Sequence, residues 1–515
     1  MDMQNATESS AVKRNVTQRA AMLMVANIAA AVLSFAFPLV LVRIMSRAEY
    51  GLYRQSFAIM VSALGLLNLQ VAVSVFYYMA KEPAKKLQVA HNVIIFYTLV
   101  GAFVFLLFMI WPGWVTIIFQ GSELVGYVPM IGLAIFCWLV STNLEAVPIA
   151  LGDVSVASGL IILSQLTKAV IMICAALIVG TLTAILVGAI IQGILQTAFM
   201  VFYLRRRFGH FRVPFDWPLF KAQIGNALPF GVGGIIAIVQ NDMHNYFVSH
   251  HFEPSIFAIY AVGCFQLPLL GMITSSFANA FNPEMAKHNE RREFGAIVDL
   301  WMDVIGRLAF FFFPAFMLMF VLRSELIATL FTRNYLASVP IFAVNLLSIL
   351  FGMALHMHLL RLFDQLRYFR LKLYLVLVPI TYAALKIGLN IGGLTGVAIA
   401  VVSMQAIDVT ATVLVVSRQL GITRAQLRRL SPLLRTAAAT LTAAAATLGT
   451  RLALDGHTDL SKLVIGSIVF GVVYLISAVI FGSVTEDDRQ MVWQLLSKIC
   501  RRDVDAIAVS QVGEN

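Results

Sequence analysis

The sequence predicts an all-α polytopic membrane protein with about 14 transmembrane helices. Three observations predict this fold class. Hydrophobic residues make up 60% of the chain and charged residues only 12%, which is far from the composition of a soluble domain. Apolar stretches long enough to cross a bilayer recur along the whole chain. Basic segments separate these stretches at nearly every second position, as they do in multi-pass membrane proteins.

Each predicted span is an apolar run close to the roughly 20 residues that cross a hydrocarbon core as a helix. In chain order the spans are residues 20–42, 55–79, 89–110, 128–150, 156–179, 183–204, 227–248, 256–281, 306–322, 338–357, 373–389, 394–416, 433–453 and 462–483. The first span follows a polar segment and is too long for the apolar region of a signal peptide. Span 13 is rich in alanine and threonine, a composition that permits close helix packing.

The basic residues indicate how the chain is oriented. Most of the 37 lysine and arginine residues lie in the two tails and in the even-numbered segments between spans. Cytoplasmic segments carry such an excess, so we expect both termini to be cytoplasmic. The net charge of +11 is spread over short loops, and it therefore indicates topology and not a nucleic-acid-binding surface.

A weak internal similarity predicts two lobes. The segment RIMSRAEYGLY at 43–53 aligns with HHFEPSIFAIY at 250–260, which pairs Tyr50 with Phe257 and Tyr53 with Tyr260. Six spans separate the copies, so both lobes have the same orientation, as in parallel-repeat transporters. The expected segments are a cytoplasmic N-tail at 1–19, an N-lobe at 20–225, a C-lobe at 226–431, spans 13 and 14 at 432–484, and a cytoplasmic amphipathic C-tail at 485–515.

Several sequence patterns of catalytic proteins are missing. The chain contains neither the G-x-x-x-x-G-K-[ST] phosphate loop nor the H-E-x-x-H zinc motif. Its four cysteines show no paired spacing, and no segment between spans is long enough for a separate catalytic domain. We therefore expect a secondary-type transporter that is not an enzyme and that uses no cofactor, with coupling to H⁺ or Na⁺ left open.

The first helix and the turn after it resemble a known family. That helix carries Asn27, and the turn after it reads S-x-x-E-Y-G-x-Y, with Ser46, Glu49, Tyr50, Gly51 and Tyr53. This arrangement resembles the bacterial polysaccharide and lipid-linked-oligosaccharide flippases of the Wzx type. They belong to the superfamily that also contains multidrug-and-toxin extruders and the lipid II flippase. Many members carry an Asp-Arg pair in span 7, whereas Asp242 is followed here by Met243.

The resemblance implies two six-helix lobes around a central cavity. It also implies alternating-access flipping of polyprenyl-diphosphate-linked oligosaccharides across the bacterial inner membrane, for exopolysaccharide, capsule or O-antigen biosynthesis. The implied partners are that glycan lipid, membrane lipids, and polysaccharide polymerase or export proteins. Cation-coupled multidrug efflux is the alternative function. A membrane polysaccharide polymerase is a remote third, because no long outside loop is present.

Ionisable residues inside spans are candidates for the cavity, because they are costly in hydrocarbon and usually face a bundle interior. Glu145 and Lys168 either pair with each other or line the cavity. Asp242 and His244 in span 7, and Asp408 in span 12, either contact substrate or a coupling ion, or form interhelical hydrogen bonds.

Three basic residues near the outer side are further candidates. Arg43 and Arg54 bracket the first outside turn, and Lys386 lies near the outer end of span 11. Arginine binds phosphate through paired hydrogen bonds, so contact with the diphosphate is one interpretation. The other is that these side chains extend towards lipid headgroups. No metal site is expected, since His356 and His358 point to opposite sides of a helix.

Overall fold

A computed structural model confirms the all-α fold class, because the residues that it describes form helices and contain no β-strand. It describes residues 25–120, 123–209, 214–366, 368–422, 426 and 430–483, so the predicted N-tail and amphipathic C-tail lie outside these ranges. The helices are α1 (Val25–Ile44), α2 (Arg47–Asn68), α3 (Val71–Lys81), α4 (Lys86–Ile110), α5 (Val115–Ile118), α6 (Val128–Ser141), α7 (Asn143–Ala150), α8 (Val154–Ile178), α9 (Leu182–Phe208), α10 (Trp217–His251), α11 (Pro254–Gly263), α12 (Pro268–Glu290), α13 (Phe294–Val321), α14 (Arg323–Phe331), α15 (Val339–Asn345), α16 (Leu347–Phe351), α17 (His356–Leu360), α18 (Phe369–Leu420), α19 (Ser431–Ala453) and α20 (Asp459–Ile480).

The helices make this a multi-pass membrane protein, although the predicted number of spans is not confirmed. In the described ranges ten helices are long and apolar enough to cross a membrane, or up to twelve if each of two bent pairs is one span. Two features account for the difference from the prediction. Spans 11 and 12 both lie in α18, which non-helical backbone interrupts at Gly392 and Gly393. Span 13 corresponds to α19, which is not among the ten helices.

The chain divides into two compact units. The first contains the described residues up to Met272, together with Ile327–Asn345 and Phe363–Thr410. The second contains Ile273–Leu326, Leu346–Leu362 and the described residues from Ala411 onward. The lobe boundaries expected from the sequence remain a prediction.

In the first unit, the second predicted span is broken between α2 and α3. The chain turns there through Leu69 and Gln70, which both have left-handed backbone. The hydroxyl of buried Tyr97, on α4, accepts a hydrogen bond from the Ala72 amide at 2.9 Å and donates one to the Asn68 carbonyl at 2.8 Å. These bonds satisfy backbone groups that the break removes from the helical pattern.

The turn that carries the family resemblance begins α2 with a capping box. The Glu49 amide donates a hydrogen bond to the Ser46 hydroxyl at 3.3 Å. The Ser46 amide in turn donates to the Glu49 carboxylate at 3.0 Å. Two of the backbone donors that a helix leaves unsatisfied at its start are therefore paired.

The two copies of the predicted repeat contact each other through helix N-termini. Ser46 and Glu253, which align in the two copies, occupy the position just before α2 and α11 respectively. At Gly51 the backbones are so close that an added Cβ would lie 1.9 Å from the Pro254 carbonyl oxygen. Only glycine fits this contact without a shift of backbone. The aligned aromatic residues Tyr50, Tyr53, Phe257 and Tyr260 are all buried.

The two arms of α18 form a close hairpin in the first unit. A Cβ added at Gly388 would lie 2.4 Å from the Gly396 carbonyl oxygen, so two glycines allow the arms to pack. Leu385 and Val397, one from each arm, are buried in a cluster that also contains Phe247 of α10. The hairpin thus brings residues of predicted spans 11 and 12 beside those of span 7.

In the second unit, α19 and α20 pack against α13. Ala439 and Ala443 of α19 are buried in a shared apolar cluster, as the small-residue composition of this span predicts. Glu325, only 4% exposed, forms an ion pair with Arg451 at the end of α19, with an Nε–Oε1 distance of 2.5 Å.

We expect Gly51→Ala to destabilise the protein by about 1–3 kcal/mol, because the new Cβ would displace the Pro254 carbonyl and overpack the contact. Gly225→Ala is the matched control, since a Cβ at this exposed helical glycine would meet no atom within 4 Å. The unfolding midpoint of purified protein in detergent measures both effects. Equal midpoints for the two variants would contradict the close contact.

Arg451→Ala should destabilise the protein by about 3–5 kcal/mol, because it leaves the buried Glu325 carboxylate without its partner. Lys462→Ala removes the partner of Asp455, whose side chain is 87% exposed, and should cost about 1 kcal/mol or less. Glu325→Gln combined with Arg451→Ala should recover part of the loss. Thermal unfolding in detergent compares the variants, and similar costs for Arg451→Ala and Lys462→Ala would disprove the prediction.

Candidate functional site

Two polar cavities lie within the first unit. The first, called here the Asp408 cavity, is lined by Gln240 and His244 of α10 and by Thr381, Gln405 and Asp408 of α18. Its volume is about 30 Å³, which suits a small ion or one or two waters. It forms where the hairpin of α18 lies beside α10, so side chains far apart in the sequence meet there.

A chain of polar contacts leads to Asp408. One guanidinium nitrogen of Arg370 donates a hydrogen bond to the Tyr374 hydroxyl at 2.7 Å. That hydroxyl donates to Oδ2 of Asp408 at 3.0 Å. The other carboxylate oxygen, Oδ1, is buried and has no hydrogen-bond partner among the described residues. This arrangement holds a carboxylate in place and leaves one oxygen for a ligand.

The polar turn of α10 is held by hydrogen bonds to other helices. The Gln240 amide donates to the Thr381 hydroxyl at 2.6 Å. A ring nitrogen of His244 lies 2.9 Å from the Tyr260 hydroxyl, and the exchange of the proton between them depends on the tautomer. Asp242 does not line the cavity; its carboxylate accepts a hydrogen bond from the Ser62 hydroxyl of α2 at 2.5 Å.

The second cavity, called here the Lys168 cavity, lies between α1, α2 and α8. Its polar lining is Ser34, Tyr53, Gln165 and Lys168, and its volume is about 90 Å³. The Lys168 ammonium lies 4.4 Å from the ring centroid of Trp138, which attracts the cation through its π face.

Lys168 has no acidic partner among the described residues. The ion pair with Glu145, one of the two interpretations made from the sequence, is not formed, and Glu145 is exposed. The cation therefore enters the Lys168 cavity beside hydrogen-bonding side chains and without a neutralising charge. The cavity can accept an anion together with hydroxyl groups.

The remaining candidate residues line neither cavity. The Arg43 guanidinium donates to the Leu39 carbonyl and, at 2.7 Å, to the carbonyl of Thr329, so it joins two segments of the first unit. Arg54 is half-buried and Lys386 is exposed. The structure thus brings His244 and Asp408 together, and it separates them from Lys168, Arg43 and Lys386.

Three residues that the sequence reasoning missed complete the cavities: Trp138, Tyr374 and Thr381. Tyr374 and Arg370 stand one helical turn apart just inside an apolar span, which is a signal that could have been found. Trp138 gives no such signal, since an aromatic residue in a span is usual. Among the described residues, no group of three or more His, Cys, Asp or Glu side chains could hold a metal ion.

Solved structures with the same fold include flippases and transporters. Lipid II flippase MurJ, in an inward closed conformation, is similar with a TM-score of 0.65 at 16% identity, over 89% of this chain and 98% of that one. A multidrug resistance MATE family transporter of the MOP superfamily, outward-facing, gives 0.56 at 14%, over 78% and 95%. The MATE transporter VcmN of Vibrio cholerae gives 0.56 at 12%, over 82% and 100%.

The fold therefore defines a multi-pass helical membrane protein of the architecture that these flippases and transporters share. A family model described as polysaccharide biosynthesis protein matches residues 40–340, which is more than half of the chain. The protein belongs to this family. No curated protein matches the sequence.

Proposed function

We propose that the protein flips polyprenyl-diphosphate-linked oligosaccharide repeat units across the bacterial inner membrane by alternating access, with both termini cytoplasmic. The products would serve exopolysaccharide, capsule or O-antigen assembly by polymerase and export proteins. A charged diphosphate and its sugars cannot cross hydrocarbon unassisted, because burying unpaired charges and hydroxyls costs several kcal/mol for each group. Family membership and the fold shared with a lipid II flippase support this proposal.

The observation that carries the proposal is Lys168. An ammonium group within the membrane is costly unless it is compensated, and this one has only an aromatic ring beside it. A diphosphate would supply the missing negative charge. Gln165 and Ser34, which line the same cavity, offer donors and acceptors of the kind that sugar hydroxyls require.

Cation-coupled multidrug efflux is the second candidate, because MATE transporters share the fold. A carrier of organic cations would favour acidic and aromatic groups in its cavity. The cation in the Lys168 cavity favours an anionic substrate instead. The match to the polysaccharide biosynthesis family also favours the glycan.

Deleting the gene should trap lipid-linked repeat units on the cytoplasmic face and abolish surface polysaccharide. In proteoliposomes, the wild-type protein should move a fluorescent polyprenyl-diphosphate oligosaccharide to the leaflet reached by a soluble quencher. Lys168→Ala should slow this movement roughly tenfold, the value of one charge-assisted hydrogen bond, and Lys168→Arg should retain more activity.

The matched control is Lys221→Ala, which removes an exposed lysine of α10 outside both cavities. Its flipping rate should equal that of the wild type. Normal surface polysaccharide in the deletion strain would contradict the proposed function. Gradient-driven dye efflux from vesicles, with no movement of the glycan lipid, would support the MATE-like alternative.

We further propose that the Asp408 cavity takes H⁺ or Na⁺ as the coupling ion. Asp408 Oδ1 and Gln240 Oε1 are buried oxygens without a hydrogen-bond partner in the described part of the chain. Oxygen atoms of this kind coordinate Na⁺ in secondary transporters, and a carboxylate also accepts a proton. The hydrogen bond from Tyr374 keeps the second carboxylate oxygen occupied while the first is used.

Asp408→Asn should keep the shape of the cavity and remove its negative charge. We expect flipping in proteoliposomes to lose its acceleration by an imposed H⁺ or Na⁺ gradient, with a residual rate that no longer depends on the ion. Asp455→Asn, at an exposed carboxylate of the second unit, is the control and should respond like the wild type. An unchanged gradient response in Asp408→Asn would disprove this assignment.

A further inference from the structure

A groove on the first unit is distinct from both cavities. It lies between α4, α6 and α9 and has a volume of about 570 Å³, within the range of roughly 300–1,000 Å³ that is usual for ligand sites. Cys137 and Val140 of α6 are buried and form its floor. Ile194 and Phe202 of α9 form one wall and are 56% and 65% exposed. We call it the Arg205 groove, after the charged residue at its end.

Small residues explain why α6 forms the floor. A Cβ added at Gly193 of α9 would lie 2.7 Å from the Cβ of Cys137. A Cβ added at Gly101 of α4 would lie 2.8 Å from the ring of Phe136. Both neighbours therefore pack closely onto α6, and their larger side chains extend past it on either side. The groove follows from this packing and does not require an adjustable loop.

The depth of the groove matches one leaflet of a bilayer. From Ile194, near the middle of α9, to Arg205, in its last turn, eleven residues rise about 16 Å at 1.5 Å each. Half of a hydrocarbon core is about 15 Å. The apolar part of the groove thus runs from the membrane centre to the surface at which α9 ends, and Arg205 lies where lipid headgroups begin.

Charge at that end is available for a ligand. Arg205 is exposed and has no hydrogen-bond or ion-pair partner among the described residues. Arg207, two residues further, differs because its guanidinium nitrogen lies 3.1 Å from the Asp153 carboxylate. A guanidinium at the headgroup level binds phosphate through charge-assisted hydrogen bonds.

We propose that the Arg205 groove binds one acyl chain of an anionic phospholipid, whose phosphate contacts Arg205. The lipid comes from the leaflet at which α9 ends. The apolar walls, the one-leaflet depth and the single cation at the headgroup level together select this ligand. The site does not depend on the transport function, because none of its residues lines the Lys168 or the Asp408 cavity.

Native mass spectrometry of the full-length protein, titrated with phosphatidylglycerol, tests the proposal. The wild type should bind a first phosphatidylglycerol more tightly than phosphatidylethanolamine. Arg205→Ala should weaken that binding roughly tenfold, the value expected for one charge-assisted contact. Ala198→Trp, which fills the groove, should abolish it. Lys168→Ala should bind the lipid like the wild type, which separates this site from the proposed substrate cavity.

Two matched variants control for general effects. Arg206→Ala removes the adjacent exposed arginine, and Ile191→Trp adds the same bulk to an exposed position of α9 outside the groove. Both should bind phosphatidylglycerol normally. Equal losses in Arg205→Ala and Arg206→Ala, or normal binding in Ala198→Trp, would overturn the proposal. Tighter binding of undecaprenyl phosphate that displaces phosphatidylglycerol would also overturn it, because the groove would then hold a polyprenyl chain.

Discussion

The constraint on which this structure depends is that polar groups in hydrocarbon must find their partners within the protein. Where α2 and α3 separate, the Tyr97 hydroxyl supplies those partners. At Asp408, the Tyr374 hydroxyl does so, and at Asp242 it is Ser62. Polar side chains on distant segments of the first unit are thereby tied together, and each tie fixes the packing of the helices that carry it.

Measured by this constraint, Lys168 differs from the other intramembrane charges. Its partner is a ring, which attracts the cation without neutralising it. The Asp408 cavity is incomplete in a different way, since its carboxylate is anchored at one oxygen and unpaired at the other. One cavity suits an anion with hydroxyl groups and the other suits a small cation. A carrier that moves an anionic headgroup with the help of an ion gradient needs both kinds of site.

Much of the fold could be predicted from the sequence, because hydropathy and the placement of basic residues are local properties. The S-x-x-E turn could also have been identified as a capping box, since its residues are three positions apart. The cavities could not be predicted in the same way. Tyr374 and Asp408 lie on opposite arms of a hairpin, and hydropathy does not show which faces of two arms meet. The number of spans depends on the alanine-rich α19, which is helical but only weakly apolar.

The contact at Gly51 and Pro254 brings together the N-termini of two helices, and each such terminus carries about half a positive charge from its peptide dipoles. Like charges repel, so the fit of the two backbones is opposed by their electrostatics. Each helix start carries an acidic residue, Glu49 in one and Glu253 in the other, that offsets part of this repulsion. Close packing and opposing dipoles in one place give a joint that is well defined in shape and that separates at low energetic cost.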